Sequence, residues 1–499
     1  MPYHLSHTIR SRIHPLAYKV SDDALIGILE YLDPASLWNA CKALTRIRRV
    51  SRESPSLRYK LKLCLACMKD GPVSVRHVPM YKRAEFLTSF MQQWTLSHPG
   101  KEVSMSYHFP SVVGISGRFV YQIQNHGMFS QLRLSELPSS TRNQPATEHM
   151  PLQCPPIEHV AIDHAQNLVV CGHAYELNGQ ISLQVHFRNM YTQEPHRDAF
   201  EPMYDVATNV GGQIARLDMN ICGRRMVIKF EFVGGRTQHL LMDWRDHFES
   251  RWLRDTDLYF IDECTLLGIT RGSDSVPMLV LYDVPNVPQL TIRARYLLPA
   301  DWVRHLVEFA KSASPKWNSR VSSNTLILPS AEWNMLVLTA KFRFGPGHDQ
   351  MWTCVPESLF KASPFRKGQT VAWRDWGALC TPISNVSPHT YVLAGPYVVG
   401  SQMAYLEYVG KTKKLCVVDI SPFYPLEASI DSSKGQSANR ERERSRRAGQ
   451  FPQSEREVSS RTEDIRITED NIILILNDSN SHPTKRIVQI MQMGTSLKV

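Results

Sequence analysis

Two groups of potential ligands stand close enough along the chain to do chemistry. Cys64 and Cys67 form a Cys-x-x-Cys, the spacing of a redox couple or of half a zinc site; a zinc site would need a second pair at matching distance. No second pair follows, and both thiols lie in a run with helical apolar spacing, so packing is the expected role, since free Cys is among the most buried residue types. His159, Asp163 and His164 form the other group. On a strand His159 and Asp163 share a face and His164 points away, so surface or turn positions are expected rather than a metal site. The chain carries no Walker loop, dinucleotide glycine fingerprint, His-Glu-x-x-His or Gly-x-Ser-x-Gly elbow. The expectation is a chain that is not an enzyme, with no catalytic, cofactor-binding or metal-ligating residue and no cofactor.

The elements that would hold any site divide at about residue 100. Ser21 is a candidate N-cap, with Asp22 and Asp23 where the helix dipole favours negative charge. Leu25, Ile28, Leu29 and Leu32 follow the spacing of one helix face. Asp33-Pro34 stops that helix and starts another, whose stripe is Leu37, Cys41, Leu44 and Ile47. After Ser54-Pro55 a third helix carries Leu57, Leu61, Cys64, Leu65 and Met68 and ends near Asp70-Gly71-Pro72; a fourth, after Tyr81, carries Leu87, Phe90, Met91 and Trp94.

From Ser104 the apolar period falls from 3.6 to 2, as in Ile181 to Phe187 and Met226 to Phe232. More than fifteen strand candidates lie between residues 104 and 425, and Asn178-Gly179 is a strong hairpin signal. So many short strands imply a closed or radially repeated architecture, because an open sheet would leave long bare edges. Strands ending at Asp243, Asp283 and Asp419 hint at repetition without a strict period. The expected fold class is α+β multidomain: a small all-α N-terminal domain, then a large all-β domain, an irregular β-propeller with a large sandwich as the alternative. The expected division is a tail over 1–19, a first helical unit over 20–53, a helical linker over 54–100, the β domain over 104–428, a disordered basic and polar insertion over 429–463, and terminal strands over 464–499 that close the β domain.

With 499 residues, 42% apolar and 21% charged, the composition is ordinary for a globular chain. No stretch approaches the ~20 apolar residues of a membrane span, and the first twenty residues lack the apolar core of a signal peptide. Ten cysteines scattered among apolar runs fit reduced thiols. Cytoplasmic and/or nuclear location is therefore expected, where the sequons Asn385-Val386-Ser387 and Asn477-Asp478-Ser479 would go unused. The net charge of +10 reads as spread along the chain with one local cluster, Arg440 to Arg447, which Glu441 and Glu443 partly cancel; a solvated loop is favoured there over a nuclear signal or nucleic-acid element.

The run Val20-Ser21-Asp22-Asp23 through Tyr31-Leu32-Asp33-Pro34 to Leu37 resembles an F-box, with Val20-Ser21 in place of the family's Leu-Pro and Ile47 where an aromatic is usual. Glu53 to Leu63, Met68 to Pro72 and the helix ending at Trp94 resemble the large F-box families of basidiomycete fungi, as do the turns at Asp243-Trp244 and Trp373 to Gly377. The resemblance implies docking on a Skp adaptor and, through it, on a cullin scaffold. The implied adaptor-binding set is Val20, Leu25, Ile28, Leu29, Leu32, Pro34, Leu37, Leu44 and Ile47. The implied function is the substrate-recognition subunit of a Skp–cullin–F-box ubiquitin ligase, its β domain binding an unidentified target protein. The alternatives are an interaction scaffold acting outside ubiquitination and, less favoured, a propeller enzyme with a polar pocket on its axis. No membrane partner is expected, and nucleic acid is not favoured. Physically, a unit of ~35–50 residues buries too little apolar surface alone, so its surplus face must be covered by later helices or by a partner.

Overall fold

The computed structural model describes residues 20–494 apart from 73–76, 109–111, 150, 178–179, 193, 209–212, 273–274, 313–324, 343–349, 362–366, 384–390, 424–450, 452 and 479–484. The expected tail over 1–19, the Asn178-Gly179 turn, the Arg440–Arg447 cluster and the Asn385 sequon lie outside the described residues.

Five helices come first: α1 (Asp22–Glu30), α2 (Pro34–Ala43), α3 (Thr45–Glu53), α4 (Pro55–Leu65) and α5 (Met80–Leu96). Ser21 Oγ accepts the Ala24 N–H at 3.3 Å. Asp33 caps α2 by accepting the N–H groups of Ala35 and Ser36, both at 2.9 Å, with Pro34 in the first turn. Two helical expectations are corrected. The stripe Leu37–Cys41–Leu44–Ile47 spans two helices, because Leu44 is extended (φ −129°, ψ 118°) between α2 and α3; a one-residue break keeps the stripe facing inward, so periodicity does not register it. The third helix ends at Leu65, with Cys67 left-handed at φ 54°, and Met68–Asp70 is a strand paired with Ile327–Pro329. Gly71 then passes so close to the ring that a Cβ would sit 1.6 Å from the Thr325 carbonyl oxygen, a position only glycine fits.

The β region is a seven-bladed propeller. In chain order the innermost strands of the blades are Val112–Ser116, His159–Asp163, Ile214–Cys222, Asp257–Asp262, His305–Phe309, Tyr391–Val399 and Thr462–Ile467. Each blade runs outward by antiparallel hairpins. Asp243, Asp283 and Asp419 close the third strands of blades three, four and six, so the weak repeat in the sequence is a structural one. The ring closes by mixing the two ends of the chain: Lys101–His108 is the outer strand of the seventh blade, paired along its whole length with Lys485–Gln492.

Two domain boundaries move. The β region starts at Lys101 rather than 104. Gln453–Val458, inside the expected 429–463 insertion, is the outer strand of the sixth blade; an outer strand with both faces polar hides the strand signal. Residues 54–100 carry the helices α4 and α5 and also pack onto the ring. Tyr59, Leu63, Phe86, Leu87, Phe90 and Trp94 share one core with Tyr397, Leu406, Leu415, Ile465, Leu474 and Met491 of blades six and seven.

Candidate docking site and the axis of the ring

The first helical unit is clamped at both ends. Arg46 donates to the Val20 carbonyl and to Asp22 Oδ1, each at 2.6 Å, and Arg49 adds a second contact to Asp22 at 3.1 Å. These hydrogen bonds and charges hold the Asp22 carboxyl below its usual range. At the other end Lys60 donates to the carbonyls of Glu30 (2.7 Å) and Leu32 (2.6 Å), which are α1 C-terminal acceptors left open by the helix itself.

This clamping decides which of the nine candidate adaptor residues face out. Leu25, Leu29, Leu37 and Ile47 are buried, at 7%, 2%, 0% and 7% exposure; their stripe is the core of the module and touches no solvent-facing partner surface. Val20, Leu32 and Leu44 are half-buried against that core, and Pro34 is half-buried at the α2 start. Ile28 alone among the nine is exposed, at 55%, and Tyr31, one turn on and 93% exposed, lies beside it. Sequence reasoning placed Tyr31 within the family pattern but did not include it in the set. The core that covers the other residues is completed by the ring: Phe423 meets Trp38 edge-on at 5.9 Å and Trp333 at 4.4 Å.

The two groups of potential ligands take structural places. Cys64 and Cys67 are buried at 0% and 2%; burial raises both thiols, Cys67 to about 12, so neither is a ready nucleophile at neutral pH. Asp163 and His164 sit where a strand enters the turn 164–167, a turn position as expected, but Asp163 is buried and accepts from the Ala165 N–H at 3.0 Å and Gln166 Nε2 at 2.7 Å. Burial near Arg118 and Arg142 pushes His164 down to about 3. Among the described residues no three His, Cys, Asp or Glu side chains are grouped to hold a metal.

The axis of the propeller is crossed rather than open. Lys311–Ser312 joins the inner edge of the sixth blade in parallel with Tyr397 and Val398. Lys311 Nζ reaches Asp218 Oδ2 of the third blade at 3.3 Å, and Arg216 meets the same carboxylate at 2.9 Å. Arg466 covers the Tyr397 ring at 4.5 Å and pairs with Asp464 at 2.6 Å. These opposite charges satisfy one another, as structural ion pairs do.

One basic feature escaped the sequence reading. Residues 42–69 contain nine of the 57 Lys and Arg against the single acid Glu53, while residues 20–41 contain four acids and no base. The local excess interleaves with buried Ile47, Val50, Leu57, Leu61 and Leu65 in an ordinary amphipathic pattern.

No family model and no curated protein matches the chain. Among solved structures it is similar to the β-propeller domain of the Trilobed protease from Pyrococcus furiosus, at 7% identity over 78% of this chain and 99% of that one, TM-score 0.40. It is also similar to the WD40 domain of SCAP from fission yeast, at 8% identity over 79% and 99%, TM-score 0.37. A third likeness is to the Nup133 β-propeller domain of Vanderwaltozyma polyspora, at 10% identity over 85% and 97%, TM-score 0.31. The propeller assignment stands on the strand pairing of the chain itself.

Proposed function

We propose that the chain is a non-catalytic protein-recognition scaffold, and more specifically the substrate receptor of a Skp–cullin–F-box ubiquitin ligase. The observation that carries the reading is the outward strip Ile28–Tyr31 on a capped helix whose other face is fully used. A large aliphatic side chain and a tyrosine left bare side by side form a contact kernel that water does not favour. The helix order, the Asp33-Pro34 cap and the Ser54-Pro55 start of α4 add the F-box resemblance. In this mechanism the chain does no covalent chemistry. It holds a target near a ubiquitin-charged partner and raises the local concentration of acceptor lysines. The shared core of α4, α5 and blades six and seven fixes the adaptor side relative to the ring, so a target bound on the ring is presented at a constant distance.

The test is co-purification of the full chain with Skp adaptor and cullin, comparing wild type with Ile28→Asp and Tyr31→Asp. Recovery of both partners by the wild type and loss in both variants is expected. Equal recovery by all three overturns the Ile28–Tyr31 docking face, and recovery by none sinks the ligase reading. Four of the nine implied contact residues are covered by the chain's own core; this smaller strip favours, as a second reading, an adaptor-binding scaffold outside ubiquitination, which predicts adaptor without cullin.

A further inference from the structure

We infer that a cleft between blades three and four binds a basic amino acid by both charged ends, its side-chain cation inward and its carboxylate at the mouth. The ligand is either the free amino acid or the last residue of a protein. The inference goes beyond the scaffold reading and does not depend on adaptor docking. The cleft has a volume of about 310 Å³, at the small end of the range for ligand sites. One side is the segment Arg251–Asp255, where the chain leaves the outer strand of blade three (Asp246–Leu253). The other side is formed by the second to fourth strands of blade four, Thr265–Arg271, Pro277–Asp283 and Thr291–Leu297, with the turn before the last of them.

The lining groups are graded by depth. Asp255 is 5% exposed, Leu290 and Ile292 are half-buried, and Arg251 and Arg254 are exposed. The deep end is therefore acidic, the wall aliphatic and the mouth basic. The Tyr282 hydroxyl donates to the Asp255 carboxyl at 3.0 and 3.3 Å, and among the described residues no Lys, Arg or His pairs with it. Buried carboxylates are ordinarily paired, and a guanidinium or ammonium entering the cleft supplies the missing partner with charge-assisted hydrogen bonds. At the mouth Arg251 gives one N–H to the Pro288 carbonyl at 3.3 Å, which leaves further donors for a carboxylate. A simple diamine would set a cation against the arginines, and a dicarboxylate would set an anion against Asp255; a basic amino acid satisfies both ends.

Two features that cost stability are kept at this place. Gly268 stands inside the strand Thr265–Arg271, where a Cβ would lie 2.6 Å from Asp255 Oδ1 and 2.9 Å from the Tyr282 ring. Glycine weakens a strand interior and marks a close approach, here of the acid and the phenol. Burial penalises the acid itself and raises its pKa to about 6. A contact needed only to join two blades is served better by apolar side chains, as in the adjoining layer of Leu253, Leu258, Phe260 and Leu266.

The test is titration calorimetry of the full chain at about pH 8, where the Asp255 carboxyl is ionised. The probes are L-arginine and L-lysine, the decarboxylated agmatine, the uncharged-side-chain L-norleucine, and a Gly-Gly-Arg tripeptide with a free or an amidated carboxyl end. L-arginine, L-lysine or the free-ended tripeptide is expected to bind, and agmatine, norleucine and the amide to bind about tenfold or more weakly. Asp255→Asn should erase the preference for arginine over norleucine, and Arg254→Ala the preference for arginine over agmatine; melting temperatures no lower than that of the wild type verify both folds. Tighter binding of the free amino acid supports the site with a small-molecule ligand, and tighter binding of the free-ended tripeptide supports it with a protein terminus. No binding of any basic probe, equal affinity for norleucine, or a preference for arginine that survives Asp255→Asn overturns the inference, and none of these outcomes bears on adaptor docking.

Discussion

Helices α1 and α5 are both amphipathic and both belong to the amino-terminal module, yet they dispose of their apolar residues in opposite ways. α5 sends Phe86, Leu87, Phe90 and Trp94, all at 3% exposure or less, into the core of the ring. α1 buries Leu25 and Leu29 in the module but leaves Ile28 and Tyr31 in water. Packing explains the middle of α5, which leaves only Tyr81 and Leu96 of its large apolar residues exposed, at its two ends. It explains half of α1, and the remaining half is where an interaction must be sought.

The comparison can be broken most sharply at Leu29. Leu29→Asp places an unpaired carboxylate in a dry core, and a loss upwards of about 5 kcal/mol is expected, visible as early protease cleavage within α1–α4; if the variant melts like the wild type, α1 is not packed as described. Trp94→Ala, on the opposite helix, removes a large ring from the core shared with blades six and seven, at about 3–5 kcal/mol. Calorimetry should show the whole chain shifting together; a shift limited to a minor transition would mean that module and ring do not share a core.

A third measurement contrasts these greasy contacts with a buried charge in the ring. Asp255, 5% exposed, accepts from the Tyr282 hydroxyl at 3.0 Å, and burial raises its pKa to about 6. The folded chain therefore holds this proton more tightly than the unfolded one. Its stabilising contribution is full below about 4 and is lost as pH rises through about 6. Asp255→Asn should stabilise the chain above pH 6, by up to about 3 kcal/mol, and the gain should vanish near pH 4; a gain independent of pH would point to another cause. The smallest effect sharpens the contrast: Ile28→Asp should change stability by no more than about 0.5 kcal/mol in urea titration. A large loss there would mean that Ile28 is packed, not presented.

Much of this was legible in the residues. Ser21 and Asp33-Pro34 state their caps locally, and alternation in runs such as Met226 to Phe232 states its strand. Asp243, Asp283 and Asp419 marked strand ends before any blade was visible. What stayed hidden depends on residues far away in sequence. Met68–Asp70 is a strand only because Ile327–Pro329 lies beside it, and Gln453–Val458 only because it seals the edge of Thr412–Asp419. A helical stripe reveals that Leu25, Leu29, Leu37 and Ile47 seek cover but not who provides it, and here the cover comes from neighbouring helices with Trp333 and Phe423.

The closing strand Lys101–His108 sets the order of events during synthesis. Its partner Lys485–Gln492 leaves the ribosome almost four hundred residues later, and long-range pairing of this kind is slow and leaves an edge open in the meantime. Phe423 and Trp333, which finish the hydrophobic interior beneath α1 and α2, also arrive late. A nascent chain thus carries a helical module whose interior is unfinished until the sixth blade has been made.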